Sequence, residues 1–185
     1  MRVIAGHARG VILESPKEQS QTRPTIDRVK ESLFSAIQFF VPGALVLDLF
    51  AGSGQLGIEA LSRDAKECIF VESCDEACKL IKKNLIKTNL LEKSQIYHQI
   101  AFDFLKQCTQ KFDLILLDPP YGKNIFYDLL PELERVTMPG GIIMVETECG
   151  AEIPSEYQTL KLKKTYHYGK VALARYEKEG EIYDN

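Results

Sequence analysis

The apolar positions of this chain follow two rhythms, and the change between them outlines the fold. Ile26, Val29, Leu33, Ile37 and Phe40 recur at spacings of three and four, which draws one apolar stripe along a helix. Thr25 stands before the stripe as an N-cap, and Pro42-Gly43 closes it. From residue 44 the pattern becomes strand, helix, strand, helix. Residues 44–50 are almost continuously apolar, as expected of a parallel strand covered on both faces. Residues 55–63 read as its crossover helix, 68–72 as a second strand and 75–88 as a second helix. A weaker third strand covers 94–100 and a strong fourth covers 112–118. A helix over 125–136 leads to a fifth strand over 142–146, behind Pro139-Gly140-Gly141. Residues 160–164 and 171–176 flank Tyr168-Gly169 and predict a closing antiparallel hairpin. Such alternation predicts an α/β fold with a doubly wound, mostly parallel sheet.

Residues 1–22 do not share these rhythms. They carry short apolar runs, two glycines and a polar stretch after Ser15-Pro16, which predicts a small hairpin or extended arm ahead of a domain over 23–185. A chain of 185 residues that is 45% hydrophobic suits one core rather than two. No apolar run reaches the roughly 18 residues of a membrane span, and the first residues turn polar at once, so a soluble cytoplasmic protein is expected. The five cysteines form no close CxxC pair, which argues against a disulfide framework and against a metal site.

Charge is uneven. The net charge is −3, yet residues 1–30 hold six Lys/Arg against three acids, and 157–175 hold five Lys/Arg and no acid. Two basic segments therefore bracket an acidic middle, a distribution compatible with a polyanionic partner.

The candidate chemistry sits where strands end. Asp48-Leu49-Phe50-Ala51-Gly52-Ser53-Gly54 runs on to Gly57 and fits GxGxxG, a loop that lets backbone approach a ligand. That pattern alone admits NAD, FAD or S-adenosylmethionine, or a mere tight turn. Glu72 lies twenty residues after Gly52, where a carboxylate can hold two ribose hydroxyls. Asp48 would repel a pyrophosphate but attract the ammonium of a methionine tail, unless it serves only as a structural cap on the loop. Together they favour S-adenosylmethionine. The fourth strand runs into Asp118-Pro119-Pro120-Tyr121. An exocyclic amino group is a poor nucleophile because its lone pair is delocalised. A carboxylate and a rigid carbonyl aimed at its two N–H bonds favour attack, the prolines fix that carbonyl, and Tyr121 offers a platform for a flipped base.

On these residues the chain resembles the bacterial RsmD family of 16S rRNA guanine-N2 methyltransferases. The resemblance rests on Arg2-Val3-Ile4-Ala5-Gly6 with Arg9-Gly10, on Thr22-Arg23-Pro24-Thr25 with Asp27-Arg28-Val29-Lys30-Glu31, on the glycine loop through Arg63, and on Asp118-Pro119-Pro120-Tyr121. It implies a class I methyltransferase fold and S-adenosylmethionine as cofactor. It also implies methylation of guanine 966 type at N2, with the small ribosomal subunit as partner and the chain acting as a monomer. By the same resemblance Asp118, Pro119 and Tyr121 would be catalytic. Asp48, Phe50, Gly52, Gly54 and Glu72 would surround the cofactor, and Arg2, Arg9, Arg23 and Arg28 would meet RNA. Many relatives place an acid or amide before the alanine after the third strand; here Ile100 precedes Ala101. A backbone contact near Ala101 is expected instead, with Asp103 as the alternative. His7 reads as surface, with a phosphate contact as the alternative. Other readings stay open: an amino-methyltransferase acting on adenine N6 of DNA or RNA, a nicotinamide oxidoreductase, or a non-catalytic RNA-binding assembly factor.

Overall fold

The computed structural model describes residues 1–15, 24–120 and 125–180. Helix α1 (Pro24–Ala36) precedes β1 (Leu45–Leu49), α2 (Gln55–Ser62), β2 (Glu67–Glu72) and α3 (Asp75–Lys87). A 3-10 turn (Leu91–Lys93) leads to β3 (Ser94–His98), α4 (Ala101–Gln107), β4 (Phe112–Leu117) and α5 (Ile125–Val136). The chain ends in β5 (Thr137–Glu148), β6 (Glu156–Tyr157), β7 (Leu160–Tyr168) and β8 (Val171–Lys178). These strands form one sheet of eight in the order β3-β2-β1-β4-β5-β8-β7-β6. The first five run parallel, and β8, β7 and β6 add antiparallel strands. The α/β fold and its antiparallel hairpin agree with the sequence pattern.

Each face of the sheet is covered. Val46, Phe70, Leu114, Leu116, Ile142 and Met144 pack with α1, α2, α3 and the amino-terminal arm. Leu47, Leu49, Ile115, Leu117, Ile143 and Val145 pack with α4 and α5. After β3 the chain crosses from one side of β1 to the other, so the switch point lies between the ends of β1 and β4. Gly57 has no room for a side chain. An added Cβ would run into the Phe70 ring and the Cys68 sulfur, so a glycine lets α2 lie close on β2.

Several boundaries differ from the pattern. Helix α1 begins at Pro24, so Thr25 lies inside its first turn instead of capping it. The stripe outlasts the helix, because Ile37 and Phe40 form a turn closed by the Phe40 amide on the Ile37 carbonyl (2.8 Å). Strand β5 starts five residues early. Thr137 already pairs with Phe112, and the ladder slips before Ile142 pairs with Leu114, so Met138–Gly141 bulge out of register. Helix α4 has no counterpart in the sequence reading. Its seven residues are too few for a clear helical period, and Ala101, Phe104 and Leu105 gain their burial from β2 and α5.

The arm is built into the domain. Arg2 and Ile12 form one antiparallel bridge, and Val3, Ala8 and Leu13 join the core beneath α1 and α2. The buried Glu59 carboxylate of α2 accepts the Ile4 and Ala5 amides at 2.8 and 3.0 Å. It also pairs with Arg63 at 2.8 Å and with buried Lys30 at 3.4 Å. The Lys30 ammonium donates to the Arg2 carbonyl at 2.6 Å, so its charge is internal rather than part of a basic surface. Burial pushes its pKa down, against the upward pull of Glu59 and Asp27.

Candidate active site

Strand alternation puts four acids along one edge of the sheet. Asp48, Glu72, Asp118 and Glu146 each fall an even number of residues after core side chains of the face that carries α1 and α2. In sheet order they come from β2, β1, β4 and β5 as Glu72, Asp48, Asp118 and Glu146. Asp48 pairs with Phe70 and Leu116, one pleat deeper than Glu72 and Asp118. Leu117 pairs with Val145, which sets Asp118 level with Glu146.

The glycine loop bridges the first two acids. Phe50, Gly52 and Gly54 have φ of 60°, 55° and 75°, so three alternate residues occupy the left-handed region. For Phe50, which carries a Cβ, this conformation is strained. The Gly52 amide donates to Glu72 Oε2 at 2.9 Å, and the Gly57 amide donates to Asp48 Oδ2 at 2.8 Å. The other Glu72 oxygen accepts the Cys74 amide at 2.9 Å. Ser73 Oγ also donates to Oε1, at 3.4 Å; a carboxylate has about four acceptor sites, so Glu72 holds the loop and keeps capacity to accept a further hydroxyl. Asp48 thereby ties the first turn of α2 to β1 with one oxygen. Asn84 fixes the loop from below: its amide donates to Ser53 O at 2.9 Å and to Glu14 O at 3.0 Å. Nothing in the sequence marked Asn84, a buried amide in the middle of a helix; its one signal is a polar residue among the apolar positions Ile81 and Leu85.

The electrostatics follow from this crowding. None of Asp48, Glu72 and Asp118 has an ion-pair partner among the described residues. Burial drives the Asp48 carboxyl well above its usual range, and the charges of Asp118 and Glu72 add to this while the Gly57 amide opposes it. Burial, followed by the charge of Glu146, lifts Asp118 to about 7. Glu146 was missed in the sequence, where its pairing with Asp118 depends on strand order. An edge so rich in acids suits a cationic ligand. At the start of α2 the Gln55 Oε1 is buried with no hydrogen-bond partner among the described residues, an acceptor left for a donor. Ala101 is buried at the first position of α4, and Asp103 is exposed in its first turn. Pro119 is half-buried directly after Asp118. Tyr121 lies outside the described residues. Among the described residues no three His, Cys, Asp or Glu side chains are grouped to hold a metal, and no helix is long and apolar enough to cross a membrane.

Arg2, Arg9 and Arg28 come together between the arm and α1. With Asp27 and Glu31 they line one cavity of about 690 Å³. Arg2 lies 4.0 Å from Asp27. Arg23 lies outside the described residues. His7 is exposed and meets Asp64 at 2.8 Å.

The family described as "Conserved hypothetical protein 95" matches residues 1–177. YlbH of Bacillus subtilis is 38% identical, over 97% of this chain and 100% of its own length. A Haemophilus influenzae protein named "Ribosomal RNA small subunit methyltransferase D" is 38% identical over 89% of each chain. The solved structure of yhhF from Escherichia coli superposes with a TM-score of 0.84 at 31% identity, covering 98% of this chain and 99% of that one. The chain therefore belongs to the Conserved hypothetical protein 95 family, the family of the small-subunit ribosomal RNA methyltransferase D proteins.

Proposed function

We propose that this protein transfers the methyl group of S-adenosylmethionine to the exocyclic N2 of one guanine in 16S rRNA, acting on the small ribosomal subunit. The observation that carries the reading is the position of Asp118-Pro119-Pro120 at the tip of β4, beside the acids that anchor the glycine loop. S-adenosylmethionine supplies a methyl group made electrophilic by a sulfonium, and brings a ribose and an ammonium without phosphate. Glu72 is suited to a ribose hydroxyl and Asp48 to the ammonium, with Phe50, Gly52 and Gly54 shaping the loop against the ligand. The Ala101 backbone, or Asp103, would meet the adenine. Asp118 and the carbonyl fixed by Pro119 accept the two N–H bonds of the target amine, and Tyr121 stacks on the base. Arg2, Arg9, Arg23 and Arg28 engage the RNA backbone. Most of the rate enhancement comes from alignment, an effect worth up to about 7–11 kcal/mol.

The test is mass-spectrometric mapping of methylated nucleotides in rRNA from cells with and without the gene. It is joined by transfer of labelled methyl to purified small subunits, free 16S rRNA and DNA. Label confined to a guanine N2 of 16S rRNA supports the proposal, and label only in DNA overturns it. Asp118→Ala is expected to fold and to lose about 10²-fold or more in turnover.

A further inference from the structure

Glu72, Asp118 and Glu146 stand at the strand tips where an RNA phosphate chain must come close, with Asp48 buried one pleat deeper. Phosphates near them are repelled, so a substrate strand has to be held from the flanks. One basic surface is the arginine cavity between the arm and α1. Another is the antiparallel extension of the sheet beyond β5.

The strand register carries the catalytic row outward. Glu146 pairs with Leu173, and Leu173 pairs with Tyr166. One pleat below, Met144 pairs with Arg175 and Arg175 with Lys164; one pleat above, Glu148 pairs with Val171 and Val171 with Tyr168. Tyr166 thus shares the face and the level of Asp118, three strands away, or roughly 14 Å at the usual strand spacing. Tyr166 and Tyr168 are half-buried, each resting one side on the core. The Lys164 ammonium lies 4.9 Å from the Tyr166 ring centre, and the Arg175 guanidinium lies 5.9 Å from that of Phe40. Phe40 is 41% exposed. Lys164 is exposed on this face and Lys170 is exposed in the turn between β7 and β8; neither has an ion-pair partner among the described residues. Rings for stacking interleaved with free cations are the composition of a single-stranded nucleic-acid platform.

We propose that the β7–β8 hairpin, with Tyr166 as its stacking ring and with Lys164 on the same face and Lys170 in the turn as its phosphate contacts, binds the RNA strand flanking the target base. This rests on the rRNA methyltransferase reading. It carries the substrate strand from the acidic edge onto the hairpin.

The test uses the full-length protein. Filter binding to purified small subunits and to free 16S rRNA is measured over a range of salt in the presence of S-adenosylhomocysteine. Affinity for S-adenosylhomocysteine alone is measured by calorimetry. Lys164→Glu/Lys170→Glu is expected to weaken RNA binding about tenfold or more and to reduce the salt slope by roughly 1.4, two contacts at about 0.7 each. Its cofactor affinity should stay unchanged. Tyr166→Ala is expected to weaken RNA binding about tenfold, with Tyr166→Phe restoring it, because stacking needs the ring and not the hydroxyl. Lys161→Glu is the control, since Lys161 already pairs with Glu179 at the far end of β7. RNA affinity and salt slope unchanged in the double lysine variant overturn the proposal, whatever Tyr166→Ala does to folding. Absence of any RNA binding by the wild-type protein overturns it too. Wild-type protein that binds rRNA without methylating it removes the proposed activity, while the variants still decide the surface.

Discussion

Asp118 is the residue on which the chemistry turns, and its environment makes two measurable demands. Its pKa is raised to about 7 by burial first and by Glu146 second. If the carboxylate accepts the amine protons, turnover must rise with pH and level off above about 7. Glu146→Gln removes the second cause and leaves the first, so the midpoint of that rise should move down but stay above the ordinary Asp value near 4. A midpoint that does not move would separate Glu146 from the site. The same shift affects stability. A carboxyl raised in the folded state favours folding below its unfolded value near 4, and this contribution is lost as pH rises through about 7. Asp118→Asn should therefore be more stable than wild type at pH 8, by about 2–4 kcal/mol, with the difference vanishing near pH 4. Denaturant titrations at the two pH values check this. In the sequence, Asp118 could be read because Asp-Pro-Pro-Tyr is a local signature. Glu146 could not be read, because its meaning comes from the register of β4 against β5.

Among the elements, α2 does the most to assemble the site. Its first turn is tied to β1 by Asp48, its glycine packs on β2, and its Glu59 fastens the arm. Glu59 is fully buried between Lys30, Arg63 and two backbone amides. Glu59→Ala would strand the Lys30 ammonium in the interior, a loss of about 3–5 kcal/mol. Glu59→Ala/Lys30→Met should recover part of it, and equilibrium unfolding of the single and double variants tests the pair. The sequence marked Lys30 only as one of several basic residues. Its burial follows from the arm lying back over α1, which no local pattern encodes. Strands β1, β2 and β4 were legible because continuous apolar runs record burial on both faces. Helix α4 was not, because it is short and takes its shape from its neighbours.

At the scale of the whole molecule, the fold separates charge that the sequence only counts. The acids gather along the carboxyl ends of the parallel strands, while Arg2, Arg9 and Arg28 gather in one cavity between the arm and α1. Arg9→Glu is expected to weaken RNA binding and to lower its salt slope by roughly one phosphate contact, about 0.7. Affinity for S-adenosylhomocysteine should hold. An unchanged slope would take the arm out of the RNA interface. A net charge of −3 is thus compatible with a polyanionic substrate, because binding responds to the local field and not to the sum.

The sequence by itself determined the alternation of strand and helix, the glycine loop, the Asp-Pro-Pro-Tyr segment and the membership of a family. All of these are short-range patterns, written in adjacent residues. Tertiary structure decided which acids stand together, which lysine is internal, and which arginines share a cavity. Those relations join residues that are tens of positions apart, and strand order and register exist only once the sheet has closed.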